Sequence, residues 1–222
     1  GCGGMDLGFV GNFNYLNKHY EENPYEIVYA NDIYKNACKT YEHNFYFKPI
    51  CSDINDIDMK SIPKADIVIG GFPCQDFSVA GKRKGLKSKR GRLYLQMKKI
   101  IEKTKPIAFV AENVDGIRNS KANANNYALD IIVKDFESIG YHTVYKVLNA
   151  SNYGVPQNRV RVFIVGIKKE YSQTMKYPQA THGNTLPLIT AKDAIDDLWD
   201  VLDKTDIPNH TMGYPTAVPL KK

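Results

Sequence analysis

Asp66-Ile67-Val68-Ile69-Gly70-Gly71-Phe72-Pro73-Cys74-Gln75-Asp76-Phe77-Ser78 is the stretch whose reading decides the fold. The run after Asp66 is short, β-branched and free of polar alternation, which reads as a buried strand of a parallel sheet. Two glycines break the strand, and Pro73 restricts the backbone just before Cys74. The carboxyl end of such a strand is where open α/β sheets receive their ligands. Two readings of Cys74 fit these residues alone. One is a nucleophile whose thiolate is favoured by nearby positive charge. The other is a buried structural cysteine, the usual fate of a free Cys.

The charge that would favour the thiolate follows at once. From Phe77 to Ile101 there is no Asp or Glu, while Lys82, Arg83, Lys84, Lys87, Lys89, Arg90, Arg92, Lys98 and Lys99 are cationic. The formal net charge of the chain is +6, so removing these nine leaves −3 for everything else. The excess is therefore one patch. Beside a nucleophile it suits a polyanionic substrate such as nucleic acid; a solvated loop and a lysine-bearing helix face is the plainer alternative.

With 222 residues, 43% of them hydrophobic, the chain can bury one core with room for an appendage. Cys2, Cys38, Cys51 and Cys74 form no Cys-x-x-Cys pair and have no His at zinc spacing, which argues against a metal site. Unpatterned cysteines fit a reducing cytoplasm. No apolar run approaches the ~18 residues of a membrane span, and no signal segment is present.

Working back, Gly1-Cys2-Gly3-Gly4-Met5-Asp6-Leu7-Gly8-Phe9 reads as a glycine loop entering a helix, a place where backbone amides suit a polar cofactor group. A polar segment over 12–25 follows, then a strand over 26–30 closed by Asn31-Asp32. An acid at the end of the second strand is where nucleotide-binding sheets hold ribose hydroxyls, although the gap from Gly4 exceeds the usual ~20 residues. Asp32 reads equally well as the N-cap of a helix over 33–44. A third strand ends at Ile50-Cys51, and Asp53 then stands at a strand end or caps a turn.

Working forward, residues 93–103 have helical spacing, with Leu93, Met97, Ile100 and Ile101 on one side. Residues 107–111 form another buried strand, ending in Glu112-Asn113-Val114. Right-handed crossovers would bring that carboxylate and amide to the same sheet edge as Cys74. A helix over 123–138 precedes strands at 142–148 and 160–167, whose connection is too short for a helix, so they pair as an antiparallel hairpin. The two-residue period puts Arg159 and Arg161 on one face, as surface charges or as bidentate partners for phosphate or carboxylate. An amphipathic helix over 191–202 carries the only Trp, Trp199, toward a core. The alternation predicts a doubly wound α/β domain.

Taken together, these segments resemble the cytosine-carbon-5 DNA methyltransferases of bacterial restriction–modification systems. The matching pieces are the glycine loop with Asp6-Leu7-Gly8-Phe9, Asn31-Asp32, residues 71–78 through Arg90-Gly91, Glu112-Asn113-Val114, and residues 149–166 with Gln157, Arg159 and Arg161. They stand in the family's order and at its spacing over residues 1–200. The resemblance implies a Rossmann-like, S-adenosylmethionine-dependent sheet with an antiparallel hairpin end. It implies that Cys74 adds to carbon 6 of a flipped cytosine, that Glu112 engages ring nitrogen 3 and the exocyclic amine, and that Arg159 and Arg161 position base and loop. Asn113 would help to fix that loop. For S-adenosyl-L-methionine it implies Gly1, Gly3, Gly4, Asp32, Ile33, Asp53, Ile54, Phe72 and Leu93. For double-stranded DNA it implies Gln75, Ser78, Lys82, Arg83, Lys84 and Arg90. Cys2, Cys38 and Cys51 keep a structural reading.

The sequence departs from the family pattern at both ends. The opening strand ahead of the glycines and the target-recognition and closing segments are absent, which leads us to expect a truncated chain. The expected division is a catalytic, cofactor-binding domain over 1–168 and a linker over 169–222 leading toward a recognition region. A fragment or truncated reading frame would lack that region, and in a split enzyme a separate chain would supply it. The alternative functions are a non-catalytic nucleic-acid-binding remnant and a tRNA-cytosine methyltransferase. A bacterial cytoplasmic location follows from the resemblance.

Overall fold

The computed structural model describes residues 1–15, 18–73, 93–120, 126–171 and 175–196. In chain order its main elements are α1 (Gly4–Val10), β1 (Phe13–Tyr15), β2 (Lys18–Tyr20), β3 (Asn31–Asp32), α2 (Lys35–Phe45) and β4 (Ile50–Cys51). They continue with β5 (Ile67–Gly71), α3 (Leu93–Thr104), β6 (Ala108–Val114), α4 (Ala128–Ser138), β7 (Tyr141–Asn149), β8 (Val160–Lys168) and α5 (Ala191–Ile195). Two compact units result. One comprises Gly1–Gly4, Ile27–Leu148 and Val160–Gln179; the other comprises Met5–Glu26, Asn149–Arg159 and the described residues from Ala180 onward.

The first unit is built on a mixed four-stranded sheet in the order β5-β6-β8-β7. β5 and β6 are parallel, with Ile67 opposite Ala108 and Gly71 opposite Glu112. β6 and β8 are antiparallel, with Val114 opposite Arg161. Lys169 N donates to Gly140 O at one end of the last pair and Ala150 N to Arg159 O at the other, so β7 and β8 form the expected antiparallel hairpin. A second, parallel pair, β3 with β4, stands as its own sheet among the described residues.

The period of two along β6 sorts its side chains. Phe109, Ala111 and Asn113 are buried while Ala108, Val110 and Glu112 are partly exposed. The buried side meets the apolar face of α4, where Phe109 and Phe136 rings lie 4.4 Å apart. Ile101 and Met97 of α3, Leu129 and Ile132 of α4, and Val162 and Ile164 of β8 complete that core. Tyr141 closes it by donating its hydroxyl to Pro106 O at 2.8 Å, and burial pushes that phenol up to about 12. Cys38 lies at 6% exposure, burial pushing its thiol up to about 11, which fits its structural reading; Cys2 and Cys51 are exposed.

Several expected boundaries move. The strand expected over 26–30 is replaced by Asn31–Asp32. Only there does a partner run alongside, with Ile50 N donating to Ala30 O and Ser52 N to Asp32 O. The helix expected from 33 begins at Lys35, because Asp32 Oδ1 accepts Tyr34 N at 2.8 Å in a turn ahead of the helix. α4 begins at Ala128, later than the expected 123, and residues 121–125 lie outside the described set. Within the polar segment 12–25, β1 and β2 form a small hairpin in the second unit, where stacked Phe13 and Tyr20 rings sit 4.7 Å apart. The last helix is Ala191–Ile195 with Asp196 at its C-cap, and residues 197–202, Trp199 among them, lie outside the described residues.

Gly166 faces the ring of Phe109 so closely that any Cβ there would overlap it. We expect Gly166→Ala to destabilise the protein by about 2 kcal/mol through overpacking, measured as a lower urea midpoint with unchanged slope.

Candidate active site

The β5–β6 register places the chemistry. Glu112 lies directly opposite Gly71, two residues before Pro73 and three before Cys74. A Cβ at Gly71 would stand 3.4 Å from Glu112 Oε2, so the carboxylate lies directly over this glycine. On the other flank, β8 carries Arg161 opposite Val114 and brings its Nε to 2.8 Å from Glu112 Oε1. The Nε–H does not point along that line, so we read a charge pair rather than a linear hydrogen bond. Arg161 Nη1 donates to Val160 O at 2.8 Å, which holds the guanidinium in place. Both side chains keep about a quarter of their surface exposed, 24% for Glu112 and 22% for Arg161. A half-open carboxylate beside a fixed cation can still receive a ligand.

Asn113 does a different job. It is 2% exposed, and its Nδ2 donates to Phe72 O at 2.9 Å while its Oδ1 accepts Val114 N at 2.9 Å. A buried amide with both ends satisfied is a rigid strut. Here it clamps the carbonyl immediately preceding Pro73-Cys74. Cys74, Gln75, Ser78, Lys82, Arg83, Lys84 and Arg90 themselves lie outside the described residues. Phe72 is 7% exposed and its ring packs in the core, while Leu93 is partly buried against that core.

A second cluster gathers at the ends of β3 and β4. Asp32 Oδ2 pairs with the Gly1 terminal ammonium. Burial alone would raise the Asp32 carboxyl. Hydrogen bonds from that ammonium and from the Tyr34 and Ile33 amides outweigh it and hold the carboxyl below the usual carboxylate range. Ile33 follows with 56% of its surface exposed, an apolar face in an unusual place. Gly3 has φ 88°, and a Cβ there would collide with Phe45, whereas Gly1 and Gly4 face open space. Asp53, after β4, turns its Oδ1 to Asn55 N at 2.9 Å and Asn55 Nδ2 at 2.8 Å, the turn-capping reading of that residue. Ile54 beside it is partly buried. Glycine loop, ionised acid and exposed apolar residue suit a nucleoside-bearing ligand.

Arg159 belongs to the second unit. It is exposed, and its amide donates to Asn149 Oδ1 at 3.0 Å at the base of the 149–159 loop. In that unit Tyr15 donates to Gly154 O at 3.1 Å. Gly154 has φ 86° and its missing Cβ is occupied by the ring of His182. Among the described residues no group of three or more His, Cys, Asp or Glu could hold a metal, and no helix is long and apolar enough to cross a membrane.

Sequence reasoning passed over Tyr94 and Asp135. Tyr94 is 4% exposed and donates its hydroxyl to Asp135 Oδ2 at 2.8 Å. Forty-one residues separate them, and neither sits in a recognisable motif.

Comparison with known proteins places the chain in a family. The sequence model of the family described as C-5 cytosine-specific DNA methylase matches residues 1–217. A type II methyltransferase of Neisseria gonorrhoeae, M.NgoFVII, is 37% identical over 205 residues, covering 89% of this chain and 51% of that protein. The type II methyltransferase M.Bsp6I of a Bacillus strain is 39% identical over 207 residues, covering 91% of this chain and 60% of its own length. The chain thus spans between half and three-fifths of these relatives. An E. coli prophage protein described as a DNA modification methyltransferase superposes with a TM-score of 0.63 at 25% identity, over 82% of this chain and 52% of that one.

Asn113→Ala should destabilise the protein by about 2 kcal/mol, because Phe72 O and Val114 N both lose a buried partner. Thermal unfolding measures this; a change under about 0.5 kcal/mol would mean that Phe72 O is satisfied otherwise.

Proposed function

This chain belongs to the C-5 cytosine-specific DNA methylase family, and from that premise we propose that it is the catalytic portion of a DNA cytosine-5 methyltransferase. The substrate would be a cytosine flipped out of double-stranded DNA, the methyl donor S-adenosyl-L-methionine, and the setting a bacterial restriction–modification system in the cytoplasm. The observation that carries the reading is the Glu112–Arg161 pair, held opposite Gly71 where the chain runs on to Cys74.

Carbon 5 of cytosine is a weak nucleophile, and the proposed residues answer that difficulty. The Cys74 thiolate adds to carbon 6, forming a carbon–sulfur bond and sending the ring electrons toward carbon 5. Glu112, hydrogen-bonded at nitrogen 3 and the exocyclic amine, supplies a proton as negative charge builds on the ring. Arg161 anchors Glu112, and Arg159 is proposed to help position the base. Once carbon 5 carries the transferred methyl group, its proton passes to solvent. The freed electron pair re-forms the carbon 5–carbon 6 double bond and expels the Cys74 thiolate, and Glu112 recovers its proton from the ring. Gln75, Ser78, Lys82, Arg83, Lys84 and Arg90 are proposed to bind the DNA backbone around the flipped base.

S-adenosyl-L-methionine, when bound, supplies an electrophilic methyl group on a sulfonium. The β3–β4 cluster fits it: Asp32 would accept from the ribose hydroxyls, Ile33 would lie on the adenine, and Asp53 with Ile54 would border its edge. Gly1, Gly3 and Gly4 would leave room for the methionine end, with Phe72 and Leu93 lining the inner side. The division into a catalytic 1–168 and a following 169–222 belongs to the same proposal. The matching family is described as a DNA methylase and the relatives are named type II methyltransferases, so neither the remnant nor the tRNA reading is favoured.

With DNA containing 5-fluorocytosine and the methyl donor, the full-length protein should form a covalent adduct that survives denaturation. Cys74→Ala should abolish it, and Glu112→Gln should slow it by about a hundredfold or more. An adduct in the Ala variant would overturn the choice of nucleophile. Asp32→Ala should weaken donor binding by roughly tenfold to a hundredfold in calorimetry, the loss of one to two hydrogen bonds to a charged acceptor.

A further inference from the structure

Residues 73–92, which carry Cys74, run between two described residues that touch each other. Phe72 follows the last residue of β5 and Tyr94 is the second residue of α3; their rings lie 6.1 Å apart at 54°, and both are buried in the same core. Phe72 is held from β6 by Asn113. Tyr94 is held from the other side, by α4: its hydroxyl donates to Asp135 Oδ2 at 2.8 Å. Asp135 is held in turn, since Lys98 Nζ lies 3.3 Å from its Oδ1 and 3.5 Å from Ser138 Oγ. Burial and the neighbouring Asp135 carboxylate push the Tyr94 phenol well above its ordinary range, so it stays a donor at any working pH.

A core tyrosine needs its ring for packing but not a carboxylate for its hydroxyl. A neutral hydrogen bond would satisfy the oxygen as well. The charged acceptor sets a direction and a short, strong bond. Its position matters because Tyr94 is the second residue after the segment that returns from Cys74. Ring contact and hydroxyl bond together fix where the chain leaves β5 and where it re-enters the fold at α3. A nucleophile misplaced by about 1 Å can lose two orders of magnitude in rate.

We propose that Tyr94 and Asp135 are positioning residues for Cys74: the Tyr94–Asp135 hydrogen bond, with the Phe72 ring contact, holds together the two ends of the segment that carries the nucleophile. This rests on the proposed nucleophilic role of Cys74, and neither residue touches substrate or donor. The bond acts on the rate of thiol addition. The proposed donor contacts, at the β3–β4 cluster and at Phe72 and Leu93, do not include the Tyr94 hydroxyl, and Tyr94→Phe keeps the ring contact to Phe72, so donor affinity stays unchanged.

The test compares full-length protein with Tyr94→Phe, Asp135→Ala and Asp135→Asn. Three readouts are used: the rate of covalent trapping on 5-fluorocytosine DNA, donor affinity by calorimetry, and the rate of tryptic cleavage between Lys82 and Arg92. Tyr94→Phe and Asp135→Ala should trap about tenfold more slowly and be cleaved several-fold faster, with donor affinity unchanged. Asp135→Asn keeps an oxygen that can accept from Tyr94 and should restore most of the rate. Unchanged trapping and cleavage in Tyr94→Phe would overturn the proposal, as would Asp135→Asn behaving like Asp135→Ala. If the unaltered protein does not trap DNA at all, the reading of Cys74 fails first, and the cleavage rates alone then decide whether the tether holds the segment.

Discussion

Everything at the candidate active site depends on one pairing, β5 beside β6 in parallel with Gly71 opposite Glu112. A shift of one residue would turn Glu112 into the core and Asn113 out of it, because side chains alternate along a strand. In the observed register the buried face presents Asn113 to Phe72 O, and the open face presents Glu112 to Arg161. The same alternation serves structure on one side of β6 and chemistry on the other. Burial of Phe109 and Ala111 under α4 is what specifies it, so the core that stabilises the sheet also aims the carboxylate.

Phe72 and Tyr94, which flank the segment bearing Cys74, are held by interactions of three different kinds. A buried amide grips the Phe72 carbonyl, an aromatic contact joins Phe72 to Tyr94, and a charge-assisted hydrogen bond ties Tyr94 to α4. Amide and phenol are both desolvated, which makes their bonds costly to leave unmade and therefore geometrically demanding. The Glu112–Arg161 pair is different. Partly exposed, it adds little to stability and much to the placement of a carboxylate.

The donor-side cluster follows another rule. Asp32 and Cys51 are brought level by a parallel pair only two residues long, and local turns finish the work. Asp32 receives amides from its own next two residues, and Asp53 caps its own turn. Short-range hydrogen bonds of this sort can be written into a few adjacent residues, so they demand little of the rest of the fold.

That contrast explains what could be read in the chain without coordinates. The apolar run leading to Gly70 and the antiparallel hairpin were legible, because apolar runs, β-branched residues and connection length are local signals. The strand ends were not, since Gly70 and Gly71 continue β5, Asp32 lies within β3 and Glu112 lies within β6. Membership of a methylase family was legible, since Pro73-Cys74-Gln75, Glu112-Asn113-Val114 and Gln157 to Arg161 stand in order along the sequence. Strand length was not legible. Residues 26–29 have the composition of a strand yet find no ladder partner among the described residues, since hydrogen-bonded pairing depends on a neighbour and not on propensity. The tertiary structure alone decided that Glu112 pairs with Arg161, that Asn113 grips Phe72, and that Asp135 holds Tyr94. Each joins residues about forty or more positions apart, and only packing at a chosen register can bring such groups within hydrogen-bonding distance.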